Sequence, residues 1–392
     1  MVEMPRYRST EDFSLYQTNE QIIQRARQNL AQGPWDYLVG GSESETTMRR
    51  NRLAFDKIAF RPRVLVDVSD TDVGTNFIGH KMTVPLLLAP VAGLEGFTPE
   101  GAVASARASE EFGIIQFVSS LTLPDLETVA ESTEATKMYQ LYIHGDWEWT
   151  KAMISRIKEA GYKGICITAD TASYSRRERP LLGRWTPASA FDPSQQNWAQ
   201  RVTWGTLDKI KSEAGLPVIL KGVASKEDAT LALDHDVDVI WVSNHGGRQL
   251  DHGLGTMDFL PEIVDVVAGR AEIVVDGGVQ RGSDVVKAVA MGHAVSGITE
   301  GQVSYTSGVL FLAVVVVVYE SIGGMRAVAW TDTFQGIIMV LALLFLGGWL
   351  FSKYTDLGAL PNRILAIAPE KIKLPDLELC ATWASSIFIL GL

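Results

Sequence analysis

Between residues 80 and 300 the chain alternates short, continuously apolar runs with stretches in which apolar positions recur at helical spacing. The apolar runs close near Pro90 (VPLLLAP), Ser120 (IIQFVSS), Tyr142 (KMYQLY), Asp170 (GICITAD), Gly222 (PVILKG), Asn244 (VIWVSN) and Asp276 (EIVVDGG). Helix candidates between them include residues 101–112, 147–160, 226–235 and 283–291. Fully apolar strands separated by helices predict a parallel sheet covered on both faces. Seven such units in a row exceed the usual open sheet and predict an α/β fold of the (β/α)8 TIM-barrel type. The eighth strand should fall near residue 298. HAVSGITEGQVSY stands there, with 294–299 as a weak strand candidate, so the barrel lacks a clear eighth βα unit.

Beyond residue 300 the pattern changes. Residues 308–319 (GVLFLAVVVVVY), 334–351 (FQGIIMVLALLFLGGWLF) and 379–392 are long apolar runs. A bilayer-crossing helix needs about 20 apolar residues. The second run meets that length, the first does so if counted over 303–322, and the third stops short. Two to three transmembrane helices are the expectation, with buried core helices as the alternative. The predicted organisation is therefore a barrel over 1–294 and a membrane-helix segment over 295–392.

Charge and cysteine content narrow the partners. The net charge of −11 offers no basic stripe for phosphates, so nucleic acid is not expected. Two cysteines, Cys166 and Cys380, make no disulfide framework. The opening MVEMPRYRST has no apolar core of a signal peptide, so none is expected.

In a barrel of this kind the active site lies at the C-terminal ends of the strands, and polar residues cluster there. Tyr142 closes one strand, Thr168 and Asp170 the next, and Lys221 another. Ser243-Asn244-His245 follows VIWV, and Asp276-Gly277-Gly278 follows EIVV. Taken singly, Asp170 reads as a helix cap, Lys221 as the partner of a core carboxylate and His245 as a satisfied core imidazole. Together they read as chemistry, because such groups are costly to bury unpaired. The stretch SNHGGRQLD is the most informative. His245 has the ring whose ordinary pKa lies nearest neutrality, suited to proton abstraction, and Arg248 offers a planar fork for a carboxylate. Arg176-Arg177 supplies a second fork. A His base, an Asp to hold its ring and two arginines describe a site for a small carboxylic acid losing a proton or a hydride. Lys221 could stabilise negative charge developing on a cofactor ring.

Eight motifs in order, WDYLVGGSE, RPRVLVDV, APVAG, QLY, TADT with SRRE, LKGV, SNHGGRQLD and DGGVQRGSD, resemble the FMN-dependent α-hydroxy acid oxidase/dehydrogenase family, which includes glycolate and lactate oxidases. The resemblance spans about residues 12–293. It implies FMN as cofactor, no metal, and oxidation of an (S)-2-hydroxy acid to a 2-oxo acid. It leaves the acceptor open among oxygen, quinone and cytochrome. It also implies roles: His245 as base, Asp170 as its orienting carboxylate, and Arg177 and Arg248 on the substrate carboxylate. Tyr37 and Tyr142 would hydrogen-bond the substrate, and Lys221 would sit at the flavin N1/O2 edge. Pro90, Val91, Ala92, Ser119, Gln140, Thr168 and Ser243 match flavin-contacting positions. Asp276, Gly277 and Gly278 match the turn around the ribityl chain and phosphate, with Arg281 close behind.

Three departures accompany the resemblance. Leu121 stands where plant glycolate oxidases have tryptophan, implying an apolar substrate pocket of different size. Gln280 stands at a usual arginine, although Arg281 follows. The family's Gly-Arg phosphate motif at the eighth strand is absent. From about residue 295, YESIGGMRAVAWTDTFQG between two apolar runs resembles part of the sodium/solute symporter family. Lys353, Arg363 and Lys371 would put that side, and with it the flavin domain, in the cytoplasm. A membrane-attached flavin enzyme with a lipid-bilayer partner is the expectation. The alternatives are a transporter carrying an enzyme-like domain, or a fusion or truncated product of impaired activity.

Overall fold

The structure is a computed structural model that describes residues 16–62, 64–188 and 196–299. The chain divides into units 1–306 and 307–392, and every described residue lies in the first.

Three helices come first: α1 (Asn19–Asn29), α2 (Gln32–Val39) and α3 (Thr46–Asp56). A reciprocal capping box at Thr18 and Gln21 starts α1. Helix α3 has no cap of its own, since Glu45 before it makes no capping bond. It borrows one from far along the chain. The Asp251 carboxylate accepts Thr47 N at 2.7 Å, Thr46 N at 3.2 Å and Ser44 Oγ at 2.9 Å. These bonds hold the carboxyl well below the usual range although burial opposes them.

A small antiparallel hairpin follows, β1 (Thr75–Phe77) with β2 (His80–Met82). The main body then runs β3 (Leu87–Leu88), α4 (Ala102–Phe112), β4 (Ile115–Ser119), α5 (Leu126–Glu131), β5 (Lys137–Leu141), α6 (Trp147–Glu159) and β6 (Ile165–Thr168). It continues with α7 (Glu178–Gly183), α8 (Gln196–Ala199), α9 (Trp204–Ala214), β7 (Val218–Val223), α10 (Lys226–Asp234) and β8 (Val239–Val242). It ends with α11 (Thr256–Val267), β9 (Glu272–Val275) and α12 (Gly282–Thr299). Strands β3 to β9 form one seven-stranded parallel sheet in chain order.

The sheet curls. Four strand spacings separate β4 from β8, which would be about 19 Å in a flat sheet. Yet the rings of Phe117 on β4 and Trp241 on β8 meet edge to face with centroids 4.7 Å apart. The period of two along each strand sorts the residues. Phe117, Met138, Cys166, Ile219 and Trp241 point inward and form one buried cluster, closed below by Phe77 and Met82 of the hairpin. Val118, Leu141, Ile167, Leu220 and Val242 point outward into the layer shared with helices such as α6, α9 and α11.

Seven strands stand where the apolar runs place them, and the eighth does not. Residues 294–299, the weak strand candidate, continue helix α12 instead. The sheet is therefore an incomplete barrel, and its last strand is marked as an edge. Strands β4, β5, β6 and β8 are buried throughout, whereas Glu272 of β9 is exposed and its remaining residues are half-buried.

The expectation of transmembrane helices is corrected here. No helix among the described residues is long and apolar enough to cross a membrane. Even α12, with 18 residues, carries Asp284 and Lys287. The runs 308–319, 334–351 and 379–392 lie outside the described residues. The bilayer partner, the membrane location and the cytoplasmic placement of the flavin domain all rested on those spans, and nothing among the described residues places this chain at a bilayer.

Candidate active site

The inward positions explain why polar groups gather at one end. Two residues beyond Phe117, Met138, Cys166, Ile219, Trp241 and Val274, on the same face, stand Ser119, Gln140, Thr168, Lys221, Ser243 and Asp276. The apolar layer fills the bottom of the sheet's interior and a polar layer lies above it, at the strand C-termini.

Over that layer opens a cavity of about 360 Å³, within the range of small-molecule sites. Pro90, Val91, Ala92, Ser119 and Leu121 line one side. Lys221, His245, Asp276 and Gly277 line the cavity as well, together with Tyr37, Tyr142, Arg177 and Arg248. Six more of the expected residues stand behind the wall or outside it. Asp170 backs His245, Gln140, Thr168 and Ser243 are buried between strands, and Gly278 follows Gly277 away from the cavity. Arg281 is exposed and does not line the cavity.

Two polar groups converge on the cavity. His245 Nδ1 lies 2.9 Å from Asp170 Oδ1. The His245 backbone sits in the left-handed region at φ 57°, which a non-glycine residue adopts only when its surroundings enforce it. Close packing also brings Asp170 in: Gly222 has φ 104°, and a Cβ there would come within 2.8 Å of the Asp170 side chain. Burial disfavours the Asp170 carboxylate, but His245 and Lys221 outweigh it and its pKa lies below the ordinary value.

The arginines form the second group. Arg248 Nη1 donates to Gly40 O at 2.6 Å and Leu38 O at 3.2 Å. Arg177 Nε donates to Ser175 Oγ and to Arg248 O, both at 3.0 Å. Both guanidiniums lie against the Tyr37 ring, at 5.9 and 5.1 Å. Burial, followed by the neighbouring Arg177 charge, lowers the Arg248 pKa to about 10. Two cations crowded in a buried site are stabilised by an anion between them. Tyr142, whose phenol burial pushes up, stays neutral beside them.

Lys221 is 5 % exposed, and its Nζ donates to Asp276 Oδ2 at 2.6 Å and Ser243 Oγ at 2.7 Å. Ser243 in turn donates to Asp276 Oδ1 at 2.6 Å. Burial disfavours the ammonium, yet Asp276 and Asp170 more than offset it and raise its pKa. The core-carboxylate reading of Lys221 thus holds as geometry, and the same lysine also faces the cavity.

The donor set fits a flavin. Gln140 Nε2 and Thr168 Oγ1 are buried without a hydrogen-bond partner at the sheet end. Such groups are rare unless a ligand or water completes them. Beside them stand a charged Lys221 and an apolar wall from Ala89 to Ala92 suited to a flat ring.

Several lining residues escaped the sequence reading: Phe97, Thr171, Tyr174, Pro187, Ala199 and Gln249. Most belong to loops, where no periodicity marks them. Trp185, which does not line the cavity, supports Tyr37 from behind, with ring centroids 5.4 Å apart. Asn51 on α3 escaped too, although its polar side chain amid an amphipathic helix was a faint signal.

An acid–base pair and two guanidiniums on one cavity, at the strand ends of a parallel barrel-like sheet, define a site for a small acid that gives up a proton. Comparisons agree with it. Residues 26–300 match the FMN-dependent dehydrogenase family, so the chain belongs to that family. It is an FMN enzyme of the glycolate and lactate oxidase kind. An L-lactate oxidase from a Nostoc strain is 37% identical over 296 residues, covering 69% of this chain and 81% of that protein. Spinacia oleracea glycolate oxidase is 35% identical over 291 residues, covering 69% and 79%. The crystal structure of a Pediococcus acidilactici lactate oxidase superposes with a TM-score of 0.67 at 30% identity, covering 71% and 79%. A mandelate oxidase structure gives 0.67 at 33%, covering 71% and 83%. Residues 298–387 match the sodium:solute symporter family.

Proposed function

We propose that this chain oxidises a small 2-hydroxy acid to the 2-oxo acid with FMN, His245 serving as the base and Arg177 with Arg248 holding the substrate carboxylate. The observation that carries the reading is the His245–Asp170 pair, 2.9 Å apart, on a cavity that both arginines also line.

The arginines and Tyr37 bind the carboxylate through charge-assisted hydrogen bonds, which fixes the substrate's other end toward His245. Tyr142 donates to the substrate hydroxyl. Oxidation removes two hydrogens, and one leaves as a proton in either course, from the α-carbon or from the hydroxyl. His245 Nε2 takes that proton. Asp170 keeps the opposite nitrogen protonated and stabilises the imidazolium that forms. FMN, when bound, supplies the two-electron acceptor. Lys221, Gln140, Thr168, Ser119 and Ser243 would hold its ring, Pro90, Val91 and Ala92 would pack it, and Asp276, Gly277 and Gly278 would take its ribityl side. Arg281 is the candidate for the phosphate. Lys221 would stabilise negative charge at the ring edge. Leu121 makes the substrate end apolar.

The enzyme is assigned to residues 1–294 and a separate segment to 295–392. The two family matches, one ending at 300 and the other beginning at 298, change over near this boundary and support the division.

The test is flavin content and its response to substrate. Purified chain should be yellow, hold FMN, and bleach without oxygen on adding L-lactate, glycolate or mandelate. Colourless protein that ignores added FMN overturns the reading.

A further inference from the structure

We propose that Asn51, on α3, is a positioning residue for this reaction, acting through Asn244 to hold the His245 backbone and the Gly277–Gly278 turn in register. The proposal rests on the function assigned above.

Asn51 is 1 % exposed, and its amide bonds Asn244, next to His245, and Thr256, which in turn bonds the turn after β9. Its Nδ2 donates to Asn244 Oδ1 at 2.9 Å, and Asn244 Nδ2 donates back to Asn51 Oδ1 at 2.7 Å. The two carboxamides thus close a ring of two hydrogen bonds. Only a side chain that donates and accepts at once can do this. Asn244 Oδ1 also accepts Gly247 N at 3.2 Å, which closes the tight turn where His245 adopts φ 57°. Asn244 Nδ2 further donates to Leu254 O at 2.9 Å.

On the other side, Asn51 Oδ1 accepts Thr256 N at 3.1 Å, and Thr256 Oγ1 donates to Gly277 O at 3.1 Å. Gly278 packs directly on the same residue, since a Cβ there would lie 2.9 Å from the Asn51 carbonyl oxygen. One amide from the N-terminal helices therefore spans the loop of the base and the loop after β9. Anchoring α3 does not require it, because Asp251 already caps that helix. A buried polar pair of this kind is costly if half-made, so it selects one arrangement of both loops.

The test compares Asn51→Ala, Asn244→Ala and the double variant in the full chain. The readouts are kcat and KM for L-lactate, FMN affinity by fluorescence, and melting temperature. Removing either amide should lower kcat roughly tenfold to a hundredfold with a smaller change in KM, since small misplacements near the chemistry have effects of that size. FMN affinity should weaken as well. The double variant should be no worse than the weaker single one, because the amides act as a unit. Wild-type kcat and FMN affinity in Asn51→Ala, with only melting lowered, overturns the proposal, as does multiplication of the two losses. Should Asn51→Ala fail to fold, Asn51→Asp keeps the shape but sets a carboxylate oxygen against Asn244 Oδ1 in place of the donated bond, and the same two outcomes apply. Hydrogen exchange in FMN-free protein separates this idea from the functional assignment. Peptides covering 243–250 and 276–281 should exchange faster together in the variant. Unchanged exchange in both overturns the proposal even if the chain proves to bind no flavin.

Discussion

Asp170 Oδ1 meets His245 Nδ1 at 2.9 Å, joining the end of β6 to the turn after β8 across the intervening strand β7. The contact passes over Gly222 of β7, where any side chain would collide with Asp170. The pair leaves Nε2 as the imidazole nitrogen available for proton transfer.

Replacing that carboxylate tests the pairing. Asp170→Asn keeps the shape but removes the charge that stabilises a protonated His245. We expect kcat to fall on the order of a hundredfold or more, with FMN content unchanged. Steady-state kinetics on protein of measured flavin content decide it, and a variant within twofold of wild type counts against the assigned roles.

The arginine pair predicts a different kinetic signature. Arg248→Lys retains one charge but loses the planar fork and the bonds to Leu38 and Gly40 carbonyls. KM should rise roughly tenfold while kcat changes less, as a lost bidentate contact weakens ground-state and transition-state binding together. A kcat loss at constant KM argues that Arg248 works elsewhere in the cycle.

Acid stability follows from Asp284. Arg52 holds both its oxygens, at 2.7 and 2.8 Å, and the carboxyl pKa falls from 3.8 to about 2 through that hydrogen bond, against a smaller cost of burial. A folded-state value below the unfolded one contributes stability that is complete above about pH 4 and lost as pH falls through about 2. Urea midpoints measured from pH 5 down to 2 should therefore decline, and Asp284→Asn should flatten part of that decline. Parallel curves for the two proteins contradict the prediction.

The unclosed sheet predicts uneven protection. Amides of β9 and β3 should exchange with solvent faster than those of β4 to β8, because local opening needs less apolar surface exposed at an edge. Hydrogen-exchange mass spectrometry over residues 85–90 and 270–276 measures this. Protection at β9 equal to that at β6 means that something covers the edge.

Much of the site was legible before any coordinates. VIWVSNH and ICITAD place a His and an Asp at the ends of apolar strands, and strand periodicity then sends Ser119, Thr168, Lys221, Ser243 and Asp276 to one interior face. Other parts were not. Residues 294–299 read weakly as a strand and form helix, because a short apolar run satisfies either element and the neighbours decide. The membrane reading extended apolar composition into an architecture that the described residues do not contain.

By itself the amino-acid order determined which segments become strands, which chemistry stands at their ends and which family the chain joins, since those depend on local pattern. Only the tertiary structure decided that Asp170 reaches His245 over a glycine, that Lys221 is shared between Asp276 and the cavity, and that Asn51 clasps Asn244. Each of these joins residues on different elements through a distance of a few ångströms. No periodicity along one segment encodes such a distance, because it arises from how the whole sheet curls and how its loops pack.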